Sequence, residues 1–107
     1  MGENIQDPGF SLSIVLPAFN EVSNIQNAVR QCVEMGKQVF DLFEVIVVDD
    51  GSNDGTADVV RRVAQEDVSE HQLAIPRIRL IQHETNTGYG AALNTGFKEA
   101  HMEYVFF

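Results

Sequence analysis

Short apolar runs alternate with stretches of helical periodicity along the chain, and this alternation predicts an α/β fold. Four runs rich in apolar or β-branched residues predict strands at residues 12–16, 44–48, 78–81 and 104–107. The run at 44–48 is almost continuously apolar, as expected for a strand that is covered on both faces. The repeated strand–helix–strand order favours a parallel sheet with right-handed crossovers.

Apolar residues recur at intervals of three and four between these runs, which predicts three connecting helices. These helices are expected at residues 23–35, through residues 56–63, and at residues 91–100. Ser23 followed by Gln26 is typical of a capping box at the start of the first helix, and Gly36 is expected to end it. Asp54 is the predicted N-terminal cap of the second helix.

Two segments are predicted to lie outside these elements. Residues 1–10 are polar, contain Pro8 and Gly9, and are expected to form a flexible lead-in. Residues 65–77 are polar and acidic and are interrupted by Pro76, so they are expected to form a solvated loop. Residues 11–107 should then form a single small domain.

Charge and cysteine content narrow the class of protein. The chain has 16 acidic and 7 basic residues, a formal net charge of −9, which argues against nucleic acid as a partner. A single cysteine, Cys32, allows neither a disulfide nor a cysteine-based zinc site within one chain. The start of the chain has no signal-peptide pattern, and no run approaches the ~18 apolar residues of a membrane helix. His71, His83 and His101 lack metal-ligand spacing and are predicted to be surface residues.

Polar turns follow the first three predicted strands, at residues 17–21, 49–52 and 84–90. Because the carboxyl ends of parallel strands meet at one edge of a sheet, these turns are expected to converge on one crevice. No Walker lysine motif is present and no G-x-G-x-x-G follows the first strand, so neither a P-loop nor a dinucleotide site is predicted.

The residues in these turns suit a nucleotide. The carboxylates of Glu21 and Asp50 can accept hydrogen bonds from ribose hydroxyls or a base N–H. Phe19 offers a flat apolar surface for a base. Gly88 and Gly90 allow the backbone to approach a phosphate ahead of a helix N-terminus.

Each of these features also has a purely structural interpretation. Residues 49–52 can be an ordinary turn that caps a helix, because Asp, Gly and Ser are common turn residues. Glu21 can be a first-turn residue that interacts with the helix dipole. Phe19 can be a core residue, and Gly88 and Gly90 can serve backbone geometry alone.

Three segments, in order, resemble the amino-terminal half of family-2 glycosyltransferases with the GT-A fold: SIVLPAFNEVSNI, EVIVVDDGSNDGT and NTGYGAALNTGF. The chain is most similar to the dolichyl- or polyprenyl-phosphate sugar transferases, over nearly all of residues 11–107. The resemblance implies a Rossmann-like nucleotide-diphospho-sugar transferase sheet, mostly parallel and truncated after its fourth strand. Residues 11–107 would be the donor-nucleotide-binding half of that domain.

The resemblance also implies roles for particular residues. The implied nucleotide-binding set is Pro17, Ala18, Phe19, Glu21, Val48, Asp49, Asp50, Asn86 and Gly88. Phe19 and Glu21 would help to line the base and ribose pocket, and Asp50 would accept the base N–H. Asn86 and Gly88 would shape the turn beside the diphosphate.

The same resemblance implies what lies elsewhere in such enzymes. They bind a divalent metal, Mg²⁺ or Mn²⁺, through an Asp-x-Asp motif after the fourth strand, so this motif is expected beyond Phe107. No catalytic residue and no metal ligand is therefore expected within this chain, which alone should be inactive. Its last strand, at residues 104–107, would lack cover and should promote self-association.

The implied reaction is an inverting transfer of a sugar from a UDP- or GDP-sugar to an acceptor such as a polyprenyl phosphate. It would take place in the cytoplasm, or at the cytoplasmic face of a membrane if membrane helices follow residue 107. Two alternatives remain at this point: a non-catalytic nucleotide-binding or interaction module, and a receiver-like signalling domain. A receiver would carry its acidic pair after the first strand, where this chain has Pro17 and Ala18.

Overall fold

The computed structural model describes residues 10–107, which form four strands joined by three helices. The strands are β1 (Ser11–Ala18), β2 (Leu42–Asp49), β3 (Ile78–Gln82) and β4 (Tyr104–Phe106). The helices are α1 (Ile25–Val39), α2 (Thr56–His71) and α3 (Tyr89–Glu99). The sheet order is β3-β2-β1-β4 with every pair parallel, which confirms the predicted α/β architecture. The predicted lead-in at residues 1–10 lies outside the described residues except for Phe10.

The continuous β-branched run in β2 lies at the centre of the molecule. Val45, Ile46, Val47 and Val48 have no exposed surface. Side chains alternate along a strand, so Val45 and Val47 pack in the cluster beneath α1 and α2, whereas Ile46 and Val48 pack against Ala92 of α3. Helices therefore cover both faces of β2, which explains its lack of polar alternation.

Small residues bring α3 close to the sheet. Ala92 and Gly96 are its buried residues, and a Cβ on Gly96 would clash with the Val15 side chain of β1. Helical periodicity in the sequence would place Leu93 and Phe97 on the inward face, but Phe97 is 40% exposed and Leu93 is only partly buried. The buried face of α3 is shifted by one residue from the face that periodicity indicates. Ala92 and Gly96 lie inward because their small size permits the closest approach to the sheet.

Three predictions about helix ends are wrong, two for α1 and one for α2. Helix α1 starts at Ile25 after Asn24, with no side-chain cap, so Ser23 and Gln26 form no capping box. Gly36 lies inside α1 rather than ending it, and a Cβ there would stand 2.5 Å from the Phe43 ring. Its missing side chain therefore lets α1 approach β2.

The start of α2 also differs in detail from the prediction. The cap position is Gly55, at a φ of 93°, and not Asp54. Asp54 Oδ1 nevertheless accepts the Thr56 N–H at 3.0 Å, so its carboxylate does satisfy the first helical amide.

The predicted loop at residues 65–77 is wrong over its first half, because α2 continues to His71. The acidic residue Asp67 is only 3% exposed. Both of its carboxylate oxygens accept hydrogen bonds from Arg77, at 2.9 and 3.0 Å. This bidentate pair compensates for the burial and ties the end of α2 to the segment that enters β3.

The buried carboxylate of Glu44 links the strands at the amino-terminal edge of the sheet. Glu44 of β2 is 4% exposed and accepts hydrogen bonds from the Ser13 hydroxyl (2.7 Å), Arg79 Nη1 (3.1 Å) and the His101 N–H (2.8 Å). Burial acts to raise the pKa of Glu44, but these hydrogen bonds and the Arg79 charge outweigh it, and the net shift is downward. The contacts join all three long strands to the segment before β4.

β4 forms one edge of the sheet, paired only with β1. Its residues Tyr104, Val105 and Phe106 are between 42 and 53% exposed. No helix among residues 10–107 combines the length and apolar character needed to cross a membrane.

Candidate functional site

The three polar turns converge on a cleft of about 530 Å³ at the carboxyl edge of the sheet. This carboxyl-edge cleft is lined by Pro17, Ala18, Phe19, Glu21, Asp50, Asn86, Gly88, Tyr89 and Ala92. The lining includes every residue of the sequence-derived set except Val48 and Asp49. The convergence expected from parallel strand ends is therefore present in the structure.

The cleft lies where the strand order reverses. β2 and β3 lie on one side of β1, and β4 lies on the other. Open α/β sheets bind ligands outside the carboxyl ends of the strands at such a switch point.

Hydrogen bonds tie the turn after β1 to the turn after β2. The Asn20 N–H donates to the Ser52 hydroxyl (2.7 Å), and the Asn53 N–H donates to Asn20 Oδ1 (3.1 Å). The Glu21 N–H donates to Thr56 Oγ1 at 3.0 Å. Asn20 has a φ of 51°, a left-handed conformation that asparagine tolerates. These contacts fix the path of the chain directly after Phe19.

The structure removes two of the structural alternatives for this turn. Phe19 is 45% exposed at the cleft, so it is not a core residue. Glu21 lies four residues before the start of α1 at Ile25, so it is not a first-turn residue of the helix. Its side chain is exposed and lines the cleft.

The turn after β2 contacts the turn after β3 through their backbones. Gly51 has a φ of 81°, and a Cβ there would stand 2.5 Å from the Thr85 carbonyl carbon and 2.6 Å from the Asn86 nitrogen. Only glycine suits both this conformation and this distance. Asn86 Nδ2 also donates to the Asp50 carbonyl at 3.3 Å.

Asp50 is the main polar connection between these two turns. Oδ1 accepts hydrogen bonds from the Thr87 N–H (2.9 Å), the Thr87 hydroxyl (2.7 Å) and His83 Nδ1 (2.7 Å). Oδ2 accepts the Gly88 N–H at 2.7 Å. Burial acts to raise the pKa of Asp50, which is 3% exposed, but these hydrogen bonds outweigh it and hold the pKa far below its usual value. These contacts therefore favour the ionised form of Asp50.

Val48 and Asp49 lie behind the cleft rather than in its wall. Val48 has no exposed surface and packs with Ile46 and Ala92, so its side chain is not accessible from the cleft. Asp49 is 1% exposed, and its Oδ1 accepts the Ser52 N–H at 3.2 Å. Asp49 shapes the turn from below, whereas Asp50 reaches the cleft.

His83 contradicts the prediction that all three histidines are surface residues. Its side chain is 17% exposed and lies against Asp50, whereas His71 and His101 are exposed as predicted. His83 is the first residue after β3, just as Asp50 is the first after β2. That position at a strand end was the available signal, and metal-ligand spacing was the wrong criterion.

Tyr89 lines the cleft, although sequence reasoning gave it no role. It begins α3 and is 67% exposed. The preceding Gly88 has a φ of 105°, and its N–H already donates to Asp50. Gly88 therefore shapes the turn, as the resemblance implied, with its own amide committed to the protein.

A second cleft, of about 490 Å³, opens at the opposite, amino-terminal edge of the sheet. This amino-edge cleft has among its lining residues Leu42, Phe43, Ile75, Pro76 and Met102. Three of its charged residues, Glu44, Arg77 and Arg79, are already paired within the protein. It lies away from all three polar turns, so it is not the candidate site.

Metal-binding groups are absent from the described part of the chain. Among residues 10–107, no group of three or more His, Cys, Asp or Glu residues is placed to hold a metal ion. Asp50, the best placed carboxylate, is occupied by four internal donor groups. The described residues alone thus do not fit a metal site.

Residues 13–107 match the model of a protein family described as Glycosyl transferase family 2. The chain belongs to this family. The match argues against the receiver-like alternative. It confirms the resemblance seen in the three sequence segments. Family 2 membership also agrees with the wholly parallel, Rossmann-like sheet.

Individual relatives are also named as glycosyltransferases. Glycosyltransferase AglD of Haloferax volcanii is 39% identical over 94 residues, covering 86% of this chain and 14% of that protein. A dolichyl-phosphate beta-glucosyltransferase of Saccharomyces cerevisiae is 28% identical over 108 residues, covering 100% of this chain and 31% of that protein. This family 2 chain therefore spans less than a third of the length of either relative.

A solved structure shows the same fold. The mannosyltransferase PcManGT from Pyrobaculum calidifontis, in complex with GDP-Man and Mn²⁺, superposes with a TM-score of 0.72 and 32% sequence identity. The superposition covers 92% of this chain and 27% of that one. The predicted GT-A fold is thereby confirmed for this member of family 2.

Proposed function

We propose that these residues bind the nucleotide of a UDP- or GDP-sugar in a glycosyltransferase that extends beyond them. The observation that carries the proposal is the carboxyl-edge cleft, where eight residues from three separate turns meet at the switch point of the sheet. Family 2 membership and a structural neighbour whose complex contains GDP-Man support the nucleotide-sugar class of ligand.

The chemistry of the cleft suits the parts of a nucleoside diphosphate. The exposed face of Phe19 can stack on the base. Asp50 has three donors at Oδ1 but only one at Oδ2, and each carboxylate oxygen has two lone pairs that can accept. Oδ2 therefore retains capacity for a base N–H. Glu21 can accept from ribose hydroxyls, and the turn at Asn86 and Gly88 lies where the diphosphate would follow.

The diphosphate needs positive charge that this chain does not supply. No Lys or Arg is among the residues that line the cleft, and the net charge of the chain is −9. The structural neighbour was solved with Mn²⁺. In our proposal the metal ligands belong to residues after Phe107, and a divalent cation bound there would neutralise the leaving diphosphate. Residues 1–107 alone are then expected to transfer no sugar.

The acceptor half of the reaction also lies outside the described residues. The yeast relative is named a dolichyl-phosphate beta-glucosyltransferase, which supports a polyprenyl phosphate as the acceptor class. The phosphate oxygen would attack the anomeric carbon from the face opposite the nucleotide, so the configuration would invert. We place this reaction at the cytoplasmic side of a membrane, where the lipid phosphate and the soluble donor meet.

Calorimetry with GDP and UDP tests the nucleotide site directly. We expect the chain to bind at least one of the two, and Phe19→Ala to weaken that binding by about 1–3 kcal/mol through loss of base stacking. Phe10→Ala is the matched control, because Phe10 is 49% exposed at the other end of β1 and packs edge-on against Tyr104. Equal effects of the two substitutions, or no binding of either nucleotide, would contradict the proposal.

A further inference from the structure

His83 lies beneath the carboxyl-edge cleft, and the function proposed above gives it no role. Its backbone N–H donates to the Asp49 carbonyl at 2.9 Å, which extends the pairing of β2 and β3 by one residue. Its ring lies between the Asp50 carboxylate and Thr95 in the second turn of α3. The histidine thus joins three elements: the end of β2, the end of β3 and the helix that leads to β4.

The partners of the ring determine where its proton lies. Nδ1 is 2.7 Å from Asp50 Oδ1, and Nε2 is 2.8 Å from the Thr95 hydroxyl. A carboxylate can only accept, so Nδ1 carries a proton and donates to Asp50, while Nε2 pairs with the Thr95 hydroxyl. Both ring nitrogens are satisfied in a single orientation.

The hydrogen-bond donors around Asp50 are distributed unequally between its two carboxylate oxygens. Oδ1 receives His83 together with both donors of Thr87, whereas Oδ2 receives only the Gly88 amide. The Thr87 hydroxyl is also 2.9 Å from His83 Nδ1, so the ring contacts both the carboxylate and one of its donors. The crowded oxygen is anchored to the protein, and the other oxygen keeps capacity on the side of the cleft.

We propose that His83 is a positioning residue for nucleotide recognition: by donating to Oδ1 it fixes the plane of the Asp50 carboxylate and leaves Oδ2 to accept a base N–H. Through Thr95 the same ring holds the turn at residues 84–88 against α3. The inference rests on the proposed nucleotide site, because a carboxylate that met no ligand would gain nothing from a fixed orientation. It adds a determinant that does not itself touch the nucleotide.

Two substitutions at position 83 separate positioning from simple packing. His83→Phe keeps a ring of similar size and removes both nitrogens. His83→Asn places an amide N–H close to the position of Nδ1 and can restore the contact with Asp50 without reaching Thr95. His101→Phe is the control, because the His101 side chain is 67% exposed near the opposite edge of the sheet.

The first arm of the test needs no ligand. Amide hydrogen exchange of the 107-residue chain reports the Thr87 and Gly88 N–H groups, which both donate to Asp50. We expect His83→Phe to speed exchange at these two amides by about tenfold, as for loss of one charge-assisted hydrogen bond, and His83→Asn to restore most of the protection. Unchanged protection in His83→Phe would overturn the proposal, since the carboxylate would then be held without the histidine.

The second arm measures binding of GDP and UDP by calorimetry. We expect His83→Phe to weaken the tighter nucleotide by about tenfold under conditions in which the variant is still folded, and His83→Asn to recover most of the affinity. Unaltered affinity in His83→Phe, or failure of His83→Asn to recover any, would overturn the role in recognition. If the unsubstituted chain binds neither nucleotide, the proposed function and the recognition role both fail, while the exchange arm still decides whether His83 holds Asp50.

Discussion

Asp50 carries the strongest physical constraint at the scale of single residues. A carboxylate that is 3% exposed would be costly to bury without partners. Its hydrogen bonds to Thr87, His83 and Gly88 remove that cost and connect the turns after β2 and β3. The same contacts that stabilise the fold therefore set the geometry of the cleft.

Asp50 should make the stability of the chain depend on acid. Its pKa is lowered in the folded protein, whereas it is about 3.9 when unfolded, so between these values the unfolded state binds more protons. The contribution is complete above the unfolded pKa and is lost as the pH falls towards the folded one. We expect Asp50→Asn to cost about 1–3 kcal/mol near neutral pH and to show a shallower loss of stability in acid.

Urea unfolding at about pH 7 and about pH 3 measures this difference. Asp58→Asn is the control, because the Asp58 side chain is 84% exposed and pairs only with Arg61 on the same helix. A residual acid slope in Asp50→Asn is expected from Glu44, whose pKa is also lowered. Identical acid slopes for Asp50→Asn and the unsubstituted chain would contradict the assigned role of these hydrogen bonds.

The sequence was more informative about which turns form the cleft than about which side chains face it. Pro17, Phe19 and Asp50 all line the cleft, because strand ends in a parallel sheet share an edge. Val48 faces α3 instead, since its orientation depends on the alternation of β2 and on which helix covers each face. The burial of His83 was not predicted, because its partners Asp50 and Thr95 are distant in sequence.

At the scale of secondary structure, close approach of helix and strand governs the position of α3. Gly96 packs on Val15 of β1 with no room for a Cβ, so α3 lies unusually near the sheet. The N-terminus of this helix forms one wall of the cleft through Tyr89 and Ala92. Its distance from β1 therefore sets the width of the site.

Gly96→Ala should destabilise the chain although alanine favours helices. Overpacking against Val15 is expected to cost about 1–3 kcal/mol, more than the gain of up to about 1 kcal/mol in helix propensity. Gly90→Ala is the matched substitution in the same helix, because its Cβ would meet nothing within 4 Å. Thermal unfolding should place Gly96→Ala below and Gly90→Ala at or above the unsubstituted chain; the reverse order would show that the contact is not tight.

The elements that the sequence predicted well are those with strong local signals. The β-branched run of β2 and the periodic face of α1 appear as expected. The second half of α2 was missed because its buried Asp67 resembles a loop residue until Arg77, ten positions later, is known to pair with it. Local pattern cannot show such a pairing.

At the scale of the whole molecule, β4 leaves one side of the sheet open. Within residues 10–107 its backbone pairs with β1 alone, and Tyr104, Val105 and Phe106 are all at least 42% exposed. An unpaired apolar edge favours pairing with another chain. We therefore expect residues 1–107 to self-associate through β4.

Val105→Lys tests this expectation, because a lysine on an edge strand opposes strand pairing. Val39→Lys is the control, since Val39 is 64% exposed at the end of α1, away from the edge. Sedimentation at high micromolar concentration should show a dimer that Val105→Lys converts to a monomer and Val39→Lys does not. A monomer for the unsubstituted chain would contradict the expectation.

The most direct test of the central claim is to map a nucleotide onto the chain by backbone amide NMR, with GDP and UDP added in turn. The account predicts that the largest shifts occur at Phe19, Glu21, Gly88 and Tyr89, which belong to two separate turns of the carboxyl-edge cleft. Amides around the amino-edge cleft should remain unchanged. Shifts confined to the amino-edge cleft, or no shift with either nucleotide, would contradict it.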